Sequence, residues 1–302
     1  MKLANLFALV ELVPLGWAAS RSLNLLRRVQ GQKEVGIMLI GILYFFVILI
    51  VISTSAIAGI SGGVVLRPIF DFIGYHDVTE IAFYMGTAVL TMAISSTIKQ
   101  VAMGTKINFK KVFTLAVGSF LGGFLGQVIL SAMSYAFNDN TVQIIQGILS
   151  ILSLVFVMLF TRDNIKTYEL RGTLWYALTG LGLGTFATIL AIGGGPINVI
   201  VFVLLFGITF KESAVYSITT IFFAQAARLG TMIIDYGIDR FDLSLLVFII
   251  PAAILGGVIG GRLNVKFPEE KVKKVFRFIV IGTILINIWN VIYFTLSLVN
   301  VI

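Results

Sequence analysis

Between Gly172 and Phe210 the chain carries 39 consecutive residues without Asp, Glu, Lys or Arg. About 20 helical residues cross a ~30 Å hydrocarbon core, so this run is twice too long for one span. Near its middle stands Leu190-Ala191-Ile192-Gly193-Gly194-Gly195-Pro196-Ile197-Asn198, where three glycines and a proline end one helix and begin another. Hydrocarbon offers the backbone no hydrogen bonds, so an interruption there survives only where protein or a watery cavity covers it. Interruptions that come in corresponding positions of two halves point to a binding site near the bilayer midplane.

A corresponding position exists. Ile60-Ser61-Gly62-Gly63 lies 132 residues earlier, and the same offset pairs Glu80 with Glu212, Tyr84 with Tyr216, Thr87 with Thr219 and Phe109 with Phe241. After a two-residue slip, Leu121-Gly122-Gly123 matches Leu255-Gly256-Gly257. The chain reads as a duplication.

With 58% hydrophobic and 12% charged residues and a mean hydropathy of +1.03, it is an all-α polytopic membrane protein of the cell membrane with no separate soluble domain. Cysteine is absent, which excludes disulfides, thiolate metal sites and cysteine nucleophiles. The +8 balance sits in loops between spans, as topology requires, and does not indicate nucleic acid.

Charge-free windows place the membrane segments. Residues 35–161 hold five: 35–58, a short one from the first interruption to 74, 81–98, 112–136 and 142–160. Residues 172–302 hold five more: 173–192, the short 196–210, 213–234, 243–261 and 278–298. Residues 1–34 fit an interfacial amphipathic helix or an extra span, and Glu11 inside the apolar run argues against a signal peptide. Basic loops around Lys106–Lys111, Arg162–Arg171 and Arg262–Arg277 belong in the cytoplasm, and loops 71–80, 137–141 and 235–242 outside. Loops that the repeat makes equivalent carry opposite charge character, and five is an odd number. Two inverted repeats of about five segments each, with a broken helix in each, are therefore expected. Five crossings in the first repeat put Arg21–Lys33 outside, against the charge rule.

Pro196 suits the first turn of a new helix, and Ser61 is placed to cap the other. Helix N-termini offer N–H groups and partial positive charge, so two of them face to face would hold an anion. The candidate substrate-binding residues are Ser61, Gly62, Gly63, Arg67, Gly193, Gly194, Gly195, Pro196 and Asn198, with Thr87 and Thr219 as hydroxyl donors. The alternatives are glycine kinks that serve packing, an Arg67–Asp71 pair at i+4, and threonines bonded back to their own helices. Glu80 and Glu212 read as parts of capping boxes in Asp77-Val-Thr-Glu80 and Thr209-Phe-Lys-Glu212. Lys99 and Arg228, near span ends, are expected to snorkel to the interface. Gly118-x-x-x-Gly122-x-x-x-Gly126 and Gly256-x-x-x-Gly260 allow close helix contact, within the chain or between copies in a homodimer.

Gly-Ile-Ser-Gly-Gly-Val-Val-Leu-Arg-Pro (59–68) and Ala-Ile-Gly-Gly-Gly-Pro-Ile-Asn (191–198) resemble the paired glycine-rich motifs of the TauE/SafE sulfite exporter family. Ser61 stands where that family usually has glycine, and the proline at 68 has no counterpart at Ile200. The resemblance implies a permease for sulfite, an organosulfonate or a related small anion. An anion channel is the alternative. An enzyme finds little support: the one histidine, His76, lies in a loop, and neither a zinc motif nor a P-loop lysine motif is present. No cofactor or metal is implied, and the partners expected are a small anionic substrate and the lipid bilayer.

The inversion is directly testable, because a cysteine-free chain accepts single labels. Lys106→Cys and Asp235→Cys should react with a membrane-impermeant thiol reagent from opposite sides of sealed cells or vesicles. Labelling of both from one side would end the inverted-repeat reading.

Overall fold

In the computed structural model, residues 17–105, 108–161, 166–190 and 195–298 are described, with side chains of the first helix from residue 35 onward. Ten α-helices carry them: α1 Trp17–Ala58, α2 Gly63–Ile73, α3 Val78–Ala102, α4 Phe109–Ala136, α5 Asp139–Leu159, α6 Thr173–Ile189, α7 Pro196–Phe206, α8 Phe210–Tyr236, α9 Leu246–Lys266 and α10 Glu269–Leu298. Two 3₁₀ turns, Ile238–Arg240 and Leu243–Leu245, lead into α9. The described residues include no strand. Contacts divide the chain into an N-terminal unit, 1–44, and a body, 45–302. Residues 17–34 belong to α1, so the expected separate segment at 1–34 is helical from Trp17 and continuous with the first span.

Among the described residues, seven helices are long and apolar enough to cross a membrane. At 11 residues each, α2 and α7 rise about 16 Å and cannot cross alone. Their ends are set locally. Each closes on a left-handed glycine, Gly74 (φ 65°) and Gly207 (φ 64°), a conformation that costs glycine nothing. Asp77, Asn108, Asn138 and Thr209 then accept backbone N–H bonds at the starts of α3, α4, α5 and α8.

The surface is inside-out relative to a soluble protein. Phe120, Phe124 and Val128 on α4, and Phe278, Ile281, Leu285 and Trp289 on α10, project outward. Ser55, Ser96, Gln100, Ser217 and Gln225 are buried. Apolar side chains facing lipid lose nothing, so the driving term for helix association becomes close packing and interhelical bonds.

Glycine provides that packing. On α4, a Cβ at Gly122 would strike Leu181 O, and one at Gly126 would strike Thr185 O, both on α6. On α9, a Cβ at Gly256 or Gly260 would press on Leu49 O and Ser53 O of α1. Gly123 meets Ala224 O of α8, and Gly257 meets Met92 O of α3. In all three comparisons the facing residues are 132 positions apart. These glycines pack against neighbouring helices of the same chain.

The contacts also give directions. Leu49, Ser53 and Ile57 follow Gly256, Gly260 and Asn264 in step, so α1 beyond Tyr44 and α9 run the same way. Met92 and Ser96 follow Gly257 and Gly261, which adds α3 to that set. On the other side, α4, α6 and α8 run together, with Ser119 bonded to Thr220 O. Tyr84 at the start of α3 bonds to Asp242, just past the end of α8, and Gly86 packs on Leu229. Thus α3 runs against α8.

Gly122→Val should therefore lower thermal stability by about 1–3 kcal/mol or more, because overpacking forces two backbones apart. Gly182→Ala, where an added Cβ meets nothing within 4 Å, should be neutral or gain about 0.5–1 kcal/mol. Unfolding curves in one detergent check both, and equal losses at the two positions would remove the close-packing argument.

Candidate functional site

The starts of the two short helices meet. Gly195 packs against Val64, with an added Cβ 3.5 Å from the valine Cγ2, so the starts of α2 and α7 face each other. Pro196 occupies the first turn of α7 as expected, and Gly195 is its N-cap. Ser61 does not cap α2. Gly62 holds that position in helical conformation (φ −65°, ψ −15°), and no side chain caps either helix. The chain turns at Gly59 (φ 73°), which leaves Ser61 one residue short of the cap. Gly193 and Gly194 lie outside the described residues.

The last turns of helices leave carbonyls without a next turn, and at the ends of α1 and α6 two are paired by distant amides. Asn264 Nδ2 donates to Ile57 O at 2.7 Å, and Gln146 Nε2 donates to Ile189 O at 2.7 Å. Ile57 and Ile189 are 132 positions apart, at the ends of α1 and α6. Asn198, one turn into α7, is buried with neither Oδ1 nor Nδ2 paired. Ser61 is likewise fully buried.

A cavity of about 540 Å³ leads toward this point from one end of the helices. Its mouth is formed by Thr79 at the start of α3, Tyr135 at the end of α4, Val142 at the start of α5 and Tyr236 at the end of α8. Inside, Arg67, Gln127, Gln143, Gln146 and Arg228 supply polar groups. A space of about 50 Å³ continues from Arg67 and Gln146 past Ser150 to Val64 and Leu190. A last gap of about 10 Å³ lies among Val64, Gly195 and Pro196. Polar groups give way to apolar ones along this series, and the last gap lies at the paired helix starts.

At the other end the same positions are sealed. Lys211 Nζ donates to Val265 O and Phe267 O, both at 2.9 Å, and Arg277 Nη2 donates to Thr161 O at 2.7 Å. Beneath them lies an apolar cluster including Ile57, Phe210, Val272 and Phe276. Lys211 is the counterpart of Thr79 at the 132 offset, and Val265 that of Ser131 at 134; Thr79 and Ser131 both line the open cavity.

Arg228 corrects an expectation. It is 6% exposed and lines the cavity, eight residues before α8 ends, and does not reach the interface. Arg67 is half-buried beside the same space, and the two guanidinium groups are close enough to act on each other electrostatically. The Asp71 side chain, the alternative partner for Arg67, lies outside the described residues. Thr87 and Thr219 bond back to Phe83 O and Val215 O, and neither lines the cavity.

Glu80 closes a complete capping box with Asp77, at the protein surface beside Arg240. At Glu212 only the half in which Thr209 accepts the backbone N–H is made, so the second expected box is a simple N-cap. Gln143, Gln146 and Asn264 were not singled out by the sequence. A lone amide on an apolar helix carries no spacing signal. Among the described residues no group of three or more His, Cys, Asp or Glu is placed to hold a metal ion.

Comparison with known proteins gives a consistent picture. The family described as "Sulfite exporter TauE/SafE" matches residues 44–286. A curated relative, the probable membrane transporter protein YunE of Bacillus subtilis (strain 168), is 24% identical over 268 residues, covering 78% of this chain and 94% of that protein. No solved structure matches. With seven candidate spans, the chain is a multi-pass membrane protein.

Gln146→Leu should cost about 1–3 kcal/mol, the usual penalty for orphaning a buried carbonyl. Gln146→Asn, one methylene shorter, should not restore the bond to Ile189. Thermal unfolding checks this, and an unchanged midpoint for Gln146→Leu would show that the end of α6 is satisfied otherwise.

Proposed function

For a chain that belongs to the Sulfite exporter TauE/SafE family, we propose secondary transport of a small anion, sulfite or an organosulfonate, by alternating access of inverted repeats. The observation that carries this reading is the one-sided cavity. It ends at two facing helix starts, while the equivalent positions at the other end are tied shut by Lys211 and filled by Phe210 and Phe276. A transporter needs such an arrangement, open to one side at a time around a fixed central site.

Helices α1–α5 and α6–α10 are the two repeats. Supporting this are the 132-residue offset between facing residues on α1 and α6 and on α3 and α8, and the opposite directions of α3 and α8. By the distribution of basic loops, the cavity faces outward in this state. The substrate lies between the interruptions. Backbone N–H groups near Gly62–Gly63 and Gly194–Gly195 replace the hydrogen bonds it leaves in water, with Ser61 and Asn198 adding side-chain contacts and Arg67 standing in the cavity before them. Such a site binds without fixing a permanent charge, so it can also release.

A channel is the competing reading, and exchange separates the two. Proteoliposomes loaded with unlabelled sulfite should accumulate labelled sulfite from outside, with a rate that saturates. Gly195 has an ordinary backbone conformation (φ −119°). Gly195→Leu should therefore fold, place its side chain against Val64, and slow exchange at least tenfold. Anion flux that rises linearly, without counterflow, would replace the transporter with a pore.

A further inference from the structure

We propose that the cavity itself is a second, outer binding site, built around Arg228 for small organic acids whose sulfonate or carboxylate head meets the two arginines. This inference rests on the transport reading and deepens it. It concerns the space before the interruptions, whereas the central site lies between them.

An arginine 6% exposed within a membrane helix is costly, and such residues face a bundle interior or a water-filled space that uses them. Arg228 does so, and Arg67 reaches the same cavity from α2. Around them Gln143 and Gln146 contribute amides, and Gln143 Oε1 has no hydrogen-bond partner. Ser150 Oγ, 2% exposed at the inner end, also has none. The planar guanidinium fork matches the oxygen geometry of a sulfonate or carboxylate better than a point charge would.

The remaining wall selects an organic body. Met85, Leu130 and Met232 also line the cavity, Leu130 and Met232 one turn beyond Gln127 and Arg228 on the same helices, with Tyr135 and Tyr236 at the mouth. At about 540 Å³ the space falls in the range of small organic ligand pockets. A bare inorganic oxyanion would leave most of it to water and the methionines unused. An acid head with a short uncharged chain uses both the guanidinium groups and the apolar side chains beside them. The arrangement has no copy in the other half of the chain. At the 132 offset Arg67 corresponds to Val199 and Arg228 to Ser96.

Isothermal titration of the full-length protein in nanodiscs, with 1-propanesulfonate as probe, tests the site. Propanesulfonate should bind at least tenfold more tightly than sulfite or sulfate, and Arg228→Gln should weaken it at least tenfold. Arg228→Lys should recover only part, since lysine keeps the charge and loses the fork. Should Arg228→Gln fail to fold, an Ala82→Cys label in the cavity wall keeps the test open with both arginines in place. Propanesulfonate should slow its reaction with N-ethylmaleimide. Equal affinity for propanesulfonate and sulfate, or no protection at Ala82→Cys, overturns the outer site. If sulfite counterflow persists in either case, the transport reading stands without it. Loss of counterflow in the unsubstituted protein would instead remove the transport reading.

Discussion

A carbonyl buried at the end of a helix must find another donor, and two such carbonyls organise this protein. An unsatisfied group there costs several kcal/mol. Ile57 O and Ile189 O are the exposed ends of α1 and α6, and each receives a side-chain amide at 2.7 Å. The donors are not equivalent: Asn264 comes from α9 and Gln146 from α5. The constraint therefore acts on the carbonyl, and either neighbouring helix can meet it. Meeting it requires close approach. The α9 backbone reaches α1 only because Gly256 and Gly260 present no side chain to Leu49 O and Ser53 O. Interruption, amide and glycine groove depend on one another.

That dependence separates rigid from adaptable parts. The glycine-packed pairs α4–α6 and α1–α9 have backbone against backbone, where packing has discrete solutions. The ends of the molecule are held differently. Lys211 and Arg277 close one end through long, flexible side chains bonded to carbonyls at helix C-termini, where cations are favoured. Under the proposed alternation the grooves move as blocks and the ends open and close.

Much of this was legible because it is local or periodic. Uncharged windows mark helices, Pro196 marks a first turn, and Asp77 with Glu80 marks a start. The 132-residue offset, visible as scattered identities, reappears as Leu49 and Leu181 each facing a glycine. What stayed hidden depends on rotation about a helix axis. Arg228 lies eight residues from the end of α8, within reach of an interface by length alone. Only the packing of α3 and α4 on that helix turns it inward. Gln146 and Asn264 serve carbonyls 43 and 207 residues away, a pairing that leaves no pattern in either segment. Ser61 failed as a cap for a finer reason, since the turn at Gly59 moves the helix start to Gly63.

Under the proposed inverted repeats, the unequal side chains of the two halves become informative. If two halves were identical, the states open to either end would have equal energy, and a bound anion would favour neither. A ligand shifts such an equilibrium only by its differential affinity for the two states. Here the open cavity carries Arg67 and Arg228, while the equivalent positions are Val199 and Ser96. In the proposed state open to the other end, those uncharged residues would line the path. An organic acid held by the arginines at the first mouth would then find Val199 and Ser96 in place of the two guanidinium groups on the far side. Affinity would fall as the site turned, so binding and release would be assigned to opposite faces by two substitutions in a duplicated frame.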